Sequence, residues 1–250
     1  MSRDPLKISQ LKQRFGKVNS FTAVDLRRFY TSYDLVISDE AFRARIHRLA
    51  KMGVLQRIGH GTYRLGEQMI FIPTITTLTK KIYGAIHAQY PYASTSIWHT
   101  STLNEFMVHQ PFKFNLIVEV EKDAAESVFY FIKEKFKNVY LNPNAEIYQN
   151  YIAGKTDSII VKSMVSESPT QDIYNVMTPT IEKILVDIYC DKVIYAAFQG
   201  KEMQNIYRNV FNKYTVNLST LSRYALRRGK KEEIDAYLER LELGIKNKPV

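Results

Sequence analysis

The sequence predicts an α+β chain in two parts: a small helical segment closed by a β-hairpin, then an α/β segment with a small sheet and a helical C-terminal tail. Three observations carry this. Short apolar stretches of helical period precede a glycine-bounded hairpin in the first quarter; strand-like runs alternate with helix-like ones from about residue 78 to 165; and from Thr178 to about Leu243 the apolar period is helical throughout. The expected junction lies near Gly66 to Met69, dividing the chain into 1–68 and 69–250.

In the first part, Ile8, Leu11 and Phe15 recur at helical spacing before Gly16, so a helix is expected from about Pro5 to Arg14. Thr22 offers an N-cap hydroxyl to a second helix carrying Ala23, Val24, Leu26, Phe29 and Tyr30. The third helix has the clearest ends: Ser38 as N-cap, Asp39 and Glu40 beside the positive end of the dipole, and Gly53 as the stop. Phe42, Ile46 and Leu49 share one of its faces, which turns Arg43, Ala44, His47, Arg48 and Lys51 the other way. Two β-prone runs, Val54 to Ile58 and Thr62 to Leu65, then flank Gly59-His60-Gly61, a hairpin signature. Three short helices, the third cationic, followed by a hairpin are the order of a winged helix-turn-helix. In that arrangement the third helix enters the major groove of double-stranded DNA, while Arg57, His60 and Arg64 on the hairpin meet the backbone.

Charge placement agrees. The chain carries 35 Lys and Arg against 25 Asp and Glu, but residues 1–68 hold 13 of those cations against six acids. Nine of the 13 are Arg, whose planar fork suits phosphates and base edges; an acidic protein or a membrane surface would accept the charge but does not need the arginines.

In the second part, helices are expected at Leu78 to Gln89, Ser101 to Met107 and Asp123 to about Phe136, and strands at Ala93 to Trp98, Phe114 to Val120, Asn138 to Leu141 and Ser158 to Val165. Chemistry is sparse there. No phosphate loop, metal-ligand spacing or nucleophile elbow occurs, so no catalytic residue, metal or cofactor is assigned. Glu119, Glu121 and Lys122 at a strand end resemble the acidic-x-Lys frame of metal-dependent nucleases, but Val120 stands two before Lys122 and Ile160 two before Lys162, so neither frame closes. Trp98, His99, His109 and Gln110 bracket Asn104 to Met107 without metal spacing, and packing and capping account for them more simply than a ligand pocket. Arg223, Arg227, Arg228, Lys230 and Lys231 form a second basic concentration, open to a nucleic-acid or phosphate contact. Cys190 is the only cysteine, and no apolar run approaches the ~18 residues of a membrane span. A reduced, cytoplasmic setting is expected.

On the strings that follow, the whole chain resembles the AbiEi antitoxins of type IV toxin-antitoxin, or abortive-infection, systems, in a variant of the Bacteroidetes type. In the first part they are Phe21-Thr22-x-x-Asp25-Leu26, Arg45-Ile46-x-x-Leu49 and Gly53-Val54-Leu55-x-Arg57-Ile58-Gly59-x-Gly61-x-Tyr63. In the second they are Leu103-Asn104-Glu105-Phe106-Met107, Glu119-Val120-Glu121-Lys122, Thr180-x-Glu182-Lys183-x-Leu185-Val186-Asp187 and Arg223-Tyr224-Ala225-x-Arg227-Arg228. The resemblance implies a non-enzymatic repressor of its own promoter, at inverted repeats, whose second domain counteracts a nucleotidyltransferase toxin without forming a stable complex with it. Two alternatives remain at this level: a nuclease-like or transferase enzyme guided by the winged helix through Glu119, Glu121 and Lys122, and a ligand-sensing repressor with a pocket near Trp98 and His109.

Overall fold

The computed structural model describes residues 6–33, 37–51, 54–66, 71–214 and 216–243, and the chain forms two compact units. The first comprises Met1–Ile70 and a return segment, Lys213–Ser219; the second comprises Phe71–Asn212 and Thr220–Val250. The return segment is not part of the expected 1–68 division. It buries Tyr214 and Val216.

The first unit runs α1 (Ile8–Phe15), β1 (Phe21–Thr22), α2 (Ala23–Thr31), α3 (Asp39–Lys51), β2 (Leu55–Gly59) and β3 (Thr62–Leu65). Leu11, Phe15, Phe21, Leu26, Phe29, Tyr30, Phe42, Leu49, Leu55 and Leu65 make one core from all of these elements. At the start of α2 the Thr22 hydroxyl accepts from Asp25 N (3.2 Å), while Asp25 Oδ2 accepts from Thr22 N (2.8 Å), a reciprocal capping box. Ser38 caps α3 by accepting from Ala41 N at 3.2 Å. Pro5 and Gly53, read as helix limits, lie outside the described residues. The two-residue β1 is not announced by any sequence run. It exists because Phe21 and Thr22 pair with Tyr63 and Thr62, completing an antiparallel sheet of order β1-β3-β2.

The second unit continues with α4 (Thr77–Gln89), β4 (Thr95–His99), a 3-10 turn (Thr100–Phe106), β5 (Asn115–Val120), α5 (Ala125–Lys135) and β6 (Val139–Leu141). A helical turn α6 (Ala145–Ile147) runs into a π-turn ending at Ile152, followed by β7 (Ser158–Ser163), β8 (Thr170–Ile173) and β9 (Val176–Pro179). The helices α7 (Ile181–Cys190), α8 (Lys201–Lys213), α9 (Leu218–Arg227) and α10 (Lys231–Arg240) complete the order, so the α+β class with small sheets and C-terminal helices holds. Three details differ from the sequence reading. Thr178, expected to open the helical tail, lies in β9, and the first tail helix begins at Ile181. The β8–β9 hairpin turns through Tyr174 and Asn175, both at positive φ (54° and 63°), a primed-turn geometry that Tyr-Asn does not advertise as Asn-Gly would. Asp123, read as a helix cap, sits instead in a 3-10 turn ahead of α5.

The main sheet has the order β4-β5-β7-β6, with β4 antiparallel to β5 and β5, β7 and β6 parallel. Period-two alternation gives its faces opposite characters. Ile97, Leu116, Val118, Val120, Ile159 and Val161 pack on Ile82 and Ile86 of α4 and Val128 and Ile132 of α5. The other face therefore carries Ser96, Glu119 and Lys162 in register across β4, β5 and β7.

Candidate functional site

The α3 face is built from its buried side outward. Phe42 and Leu49 are buried and Ile46 is half-buried, which leaves Arg43, Ala44, His47 and Arg48 exposed along the opposite face. Arg43 and Arg48 make no hydrogen bond or ion pair among the described residues, so both guanidinium groups face solvent unengaged. Lys51 ends α3, with its side chain outside the described atoms. The helix is held against α2 by Arg27, which reaches Asp39 Oδ1 at 2.6 Å and lies 4.6 Å over the Phe42 ring. Arg45, between the two faces, lies 5.1 Å over the Tyr30 ring.

On the hairpin, β2 pairs with β3 through Arg57↔Tyr63, and a bulge at Ile58 leads into the His60-Gly61 turn. Gly61 takes φ 64°, and its carbonyl accepts from Ala23 N at 2.7 Å, fixing the tip to the start of α2. Arg57 and His60 are exposed. Arg57 Nε donates to Gly59 O at 3.3 Å, which aims the guanidinium along the hairpin. Arg64 departs from expectation. It is half-buried, its Nε donates to Gln56 Oε1 (2.7 Å) and its Nη2 lies 3.5 Å from Tyr214 O, while burial lowers its pKa. The register that sends Arg57 outward turns Arg64, paired with buried Gln56, inward.

Most cations of the second basic concentration meet acids in the fold. Arg227 pairs with Glu167, Arg228 with Asp187 and Asp191, Lys230 with Glu233 and Lys231 with Asp235, leaving Arg223 as its exposed cation without a described ion pair. Sequence spacing grouped these residues; their partners lie up to 60 positions away. Trp98 is buried 6.0 Å from the Tyr195 ring, whereas the exposed His109 holds Glu202 through Nδ1 at 2.8 Å, so the two do not define a common pocket. His99, also read as packing, bridges Ser101 Oγ (2.6 Å) and Asp157 Oδ1 (3.1 Å). Gln110 Nε2 donates to Asn104 O.

A second constellation escaped the sequence reading. Glu119, buried at the centre of the sheet, ion-pairs with Lys183 of α7 and lies 3.5 Å from Lys162 Nζ of β7. Lys183 also pairs with Asp187 one turn on, and Asp187 accepts from Tyr224 OH (2.9 Å) and Arg228 Nη1 (2.6 Å). Asp191 closes the set, accepting from Lys162 Nζ and Arg228 Nη2, each at 2.5 Å. Burial alone would discharge these groups, yet the surrounding carboxylates hold Lys162, Lys183 and Arg228 above their ordinary pKa values. Lys162 and Arg228 likewise outweigh burial at Asp191 and hold its carboxyl below its usual range. Tyr224, buried beside Asp187, is pushed up to about 12. Three acids and three bases compensate one another. The sequence test looked along one strand for the acid and lysine of a nuclease; the structure sets Glu119 beside Lys162 across two strands and leaves Glu121 and Lys122 exposed. The available signal was a Glu and a Lys at otherwise apolar strand positions.

Among known proteins, a family model described as a family of unknown function, DUF6577, matches residues 41–243, from α3 to the end of the described chain. No curated protein matches.

Proposed function

Since the chain belongs to the DUF6577 family, whose function is unknown, its reading rests on its own residues: we propose that it is a transcriptional autorepressor whose first unit is a winged helix reading double-stranded DNA upstream of its own gene. The carrying observation is the solvent-facing Arg43, His47 and Arg48 on a capped, core-anchored α3, with Arg57 and His60 exposed on the hairpin that follows. The helix-strand-helix-helix-hairpin order, with β1 added to β3, supports the same reading. Arg64 is not part of the proposed surface.

For the second unit we propose the antitoxin role that the resemblance implies, against a nucleotidyltransferase toxin, in a cytoplasmic setting and without enzymatic activity of its own. A structural observation supports it. Three of the four strings behind that resemblance in this unit, far apart in sequence, meet at one place through Glu119, Lys183, Asp187, Tyr224 and Arg228. Repression and antitoxicity should then separate by mutation. Arg43→Ala with Arg48→Ala should abolish repression of a reporter carrying the upstream region while cells expressing the neighbouring toxin gene stay protected; joint loss from a folded protein would sink the two-part reading. The enzyme alternative is tested at exposed positions, since Glu119 is bound into the network: Glu121→Gln with Lys122→Ala should leave protection intact.

A further inference from the structure

The polar face of the main sheet points beyond both roles. At its centre, β5 and β7 run parallel, yet β5 leads into α5 on one face, and the chain leaving β7 passes through the β8–β9 hairpin to α7, which meets Glu119 on the other. Where neighbouring parallel strands exit to opposite faces, a crevice opens outside their carboxyl ends, and this is where open α/β sheets bind ligands. Glu119 and Lys162 stand at those ends. Lys162, though not Glu119, lines a cleft of about 420 Å³ together with Asn142 and Pro143, which follow β6, and Cys190, Asp191 and Lys192 at the end of α7, within the size range of small-molecule sites.

The chemistry of the cleft defines what it takes. Asp191 accepts from Lys162 and Arg228 at once, and its side chain is 22% exposed against 10% and 13% for theirs. It is thus the outermost carboxylate; of its two recessed cationic partners Lys162 lines the cleft with it, Arg228 reaches it from outside the lining, and Lys192 is exposed at the rim. Buried ion pairs rarely repay their desolvation, so a set of six charges is a costly way to join a sheet to helices, and a ligand that uses the cations gives it a purpose. A monoanion gains nothing by replacing Asp191. A phosphate group does, because it brings more charge and three acceptor oxygens to the same two donors. We propose that the second unit binds a phosphate-bearing small molecule here, with its phosphate taking the place of the Asp191 carboxylate on Lys162 and Arg228 and a further oxygen facing Lys192.

Calorimetric titration of the full chain with inorganic pyrophosphate and, separately, with ATP tests this, in an Arg43→Ala, Arg48→Ala background that removes the basic face of α3 from the signal. Both probes should bind, Asp191→Asn should tighten binding by about tenfold by freeing two donors, and Lys192→Ala should weaken it severalfold. Equal affinity for the two probes assigns recognition to the phosphates alone, and tighter ATP binding adds the nucleoside; both support the site. Absence of binding to the unsubstituted cleft and to a folded Asp191→Asn chain overturns the proposal. Binding indifferent to Lys192→Ala overturns it too, and because Lys192 is exposed that variant remains informative even if Asp191→Asn does not fold.

Discussion

Arg43 and Arg48 are exposed because Phe42 and Leu49 are not: each arginine follows or precedes a core residue on a helix whose apolar stripe is anchored. A guanidinium bidentate to guanine is worth roughly 1–3 kcal/mol of base discrimination, so Arg43→Ala or Arg48→Ala should weaken operator binding more than binding to random DNA. Arg57, an exposed hairpin cation, should act on phosphate, and Arg57→Ala should weaken both duplexes alike and lower the salt slope by about one unit. Arg64 should behave differently again. Its replacement by Ala removes the partner of Gln56 and should lower the urea midpoint of the first unit while leaving the DNA-binding salt slope of the folded protein unchanged. At the network, the signs follow from the shifts. Asp191 titrates below its ordinary 3.8, so its stabilisation is complete above that value and is lost as pH falls through the folded pKa; Lys162 titrates above 10.5, so its share is complete below 10.5 and is lost as pH rises through the folded one. Denaturant midpoints of the second unit should hold through neutral pH and fall at both extremes, and Asp191→Asn should flatten the acid limb.

Elements were legible where the code is local. Thr22 and Ser38 announce their helices because a cap is a contact three residues long, and both caps formed as spaced. Thr22→Ala should cost about 1 kcal/mol, read as a shift in the thermal or urea midpoint, and Thr22→Ser should restore most of it. The strands β5 and β7 were visible as largely apolar runs, and β4 as a β-prone one. What stayed hidden depends on distant partners. Two-residue β1 exists only through β3, the β8–β9 hairpin turns through a Tyr-Asn pair that carries no glycine, and Arg227 and Arg228 read as a basic patch until Glu167, Asp187 and Asp191 come to meet them. The candidate DNA face was therefore readable from helical period and the hairpin signature, apart from Arg64, whereas the charge network, drawn from β5, β7, α7 and α9 with the residue after each helix, was not.

At the scale of the whole chain, the first unit is not a continuous segment, because Lys213–Ser219 belongs with residues 1–70. A fragment ending at residue 70 lacks buried Tyr214 and Val216 and the carbonyl beside Arg64, and it should unfold at lower urea than the same unit in the full chain. Circular dichroism of the fragment and the full chain against urea checks this, and equal midpoints would make the return segment dispensable. The central claim is that α3 reads DNA, and it is tested most directly by titrating the full chain and its Arg43→Ala, Arg48→Ala and Arg57→Ala variants on a duplex from upstream of its own gene and on a scrambled duplex, at several salt concentrations. The account predicts tight, salt-dependent binding that prefers the upstream duplex, a preference that shrinks in the two α3 variants and survives in Arg57→Ala with a shallower salt slope. Binding that does not distinguish the duplexes, or α3 variants that keep the full preference, would contradict it.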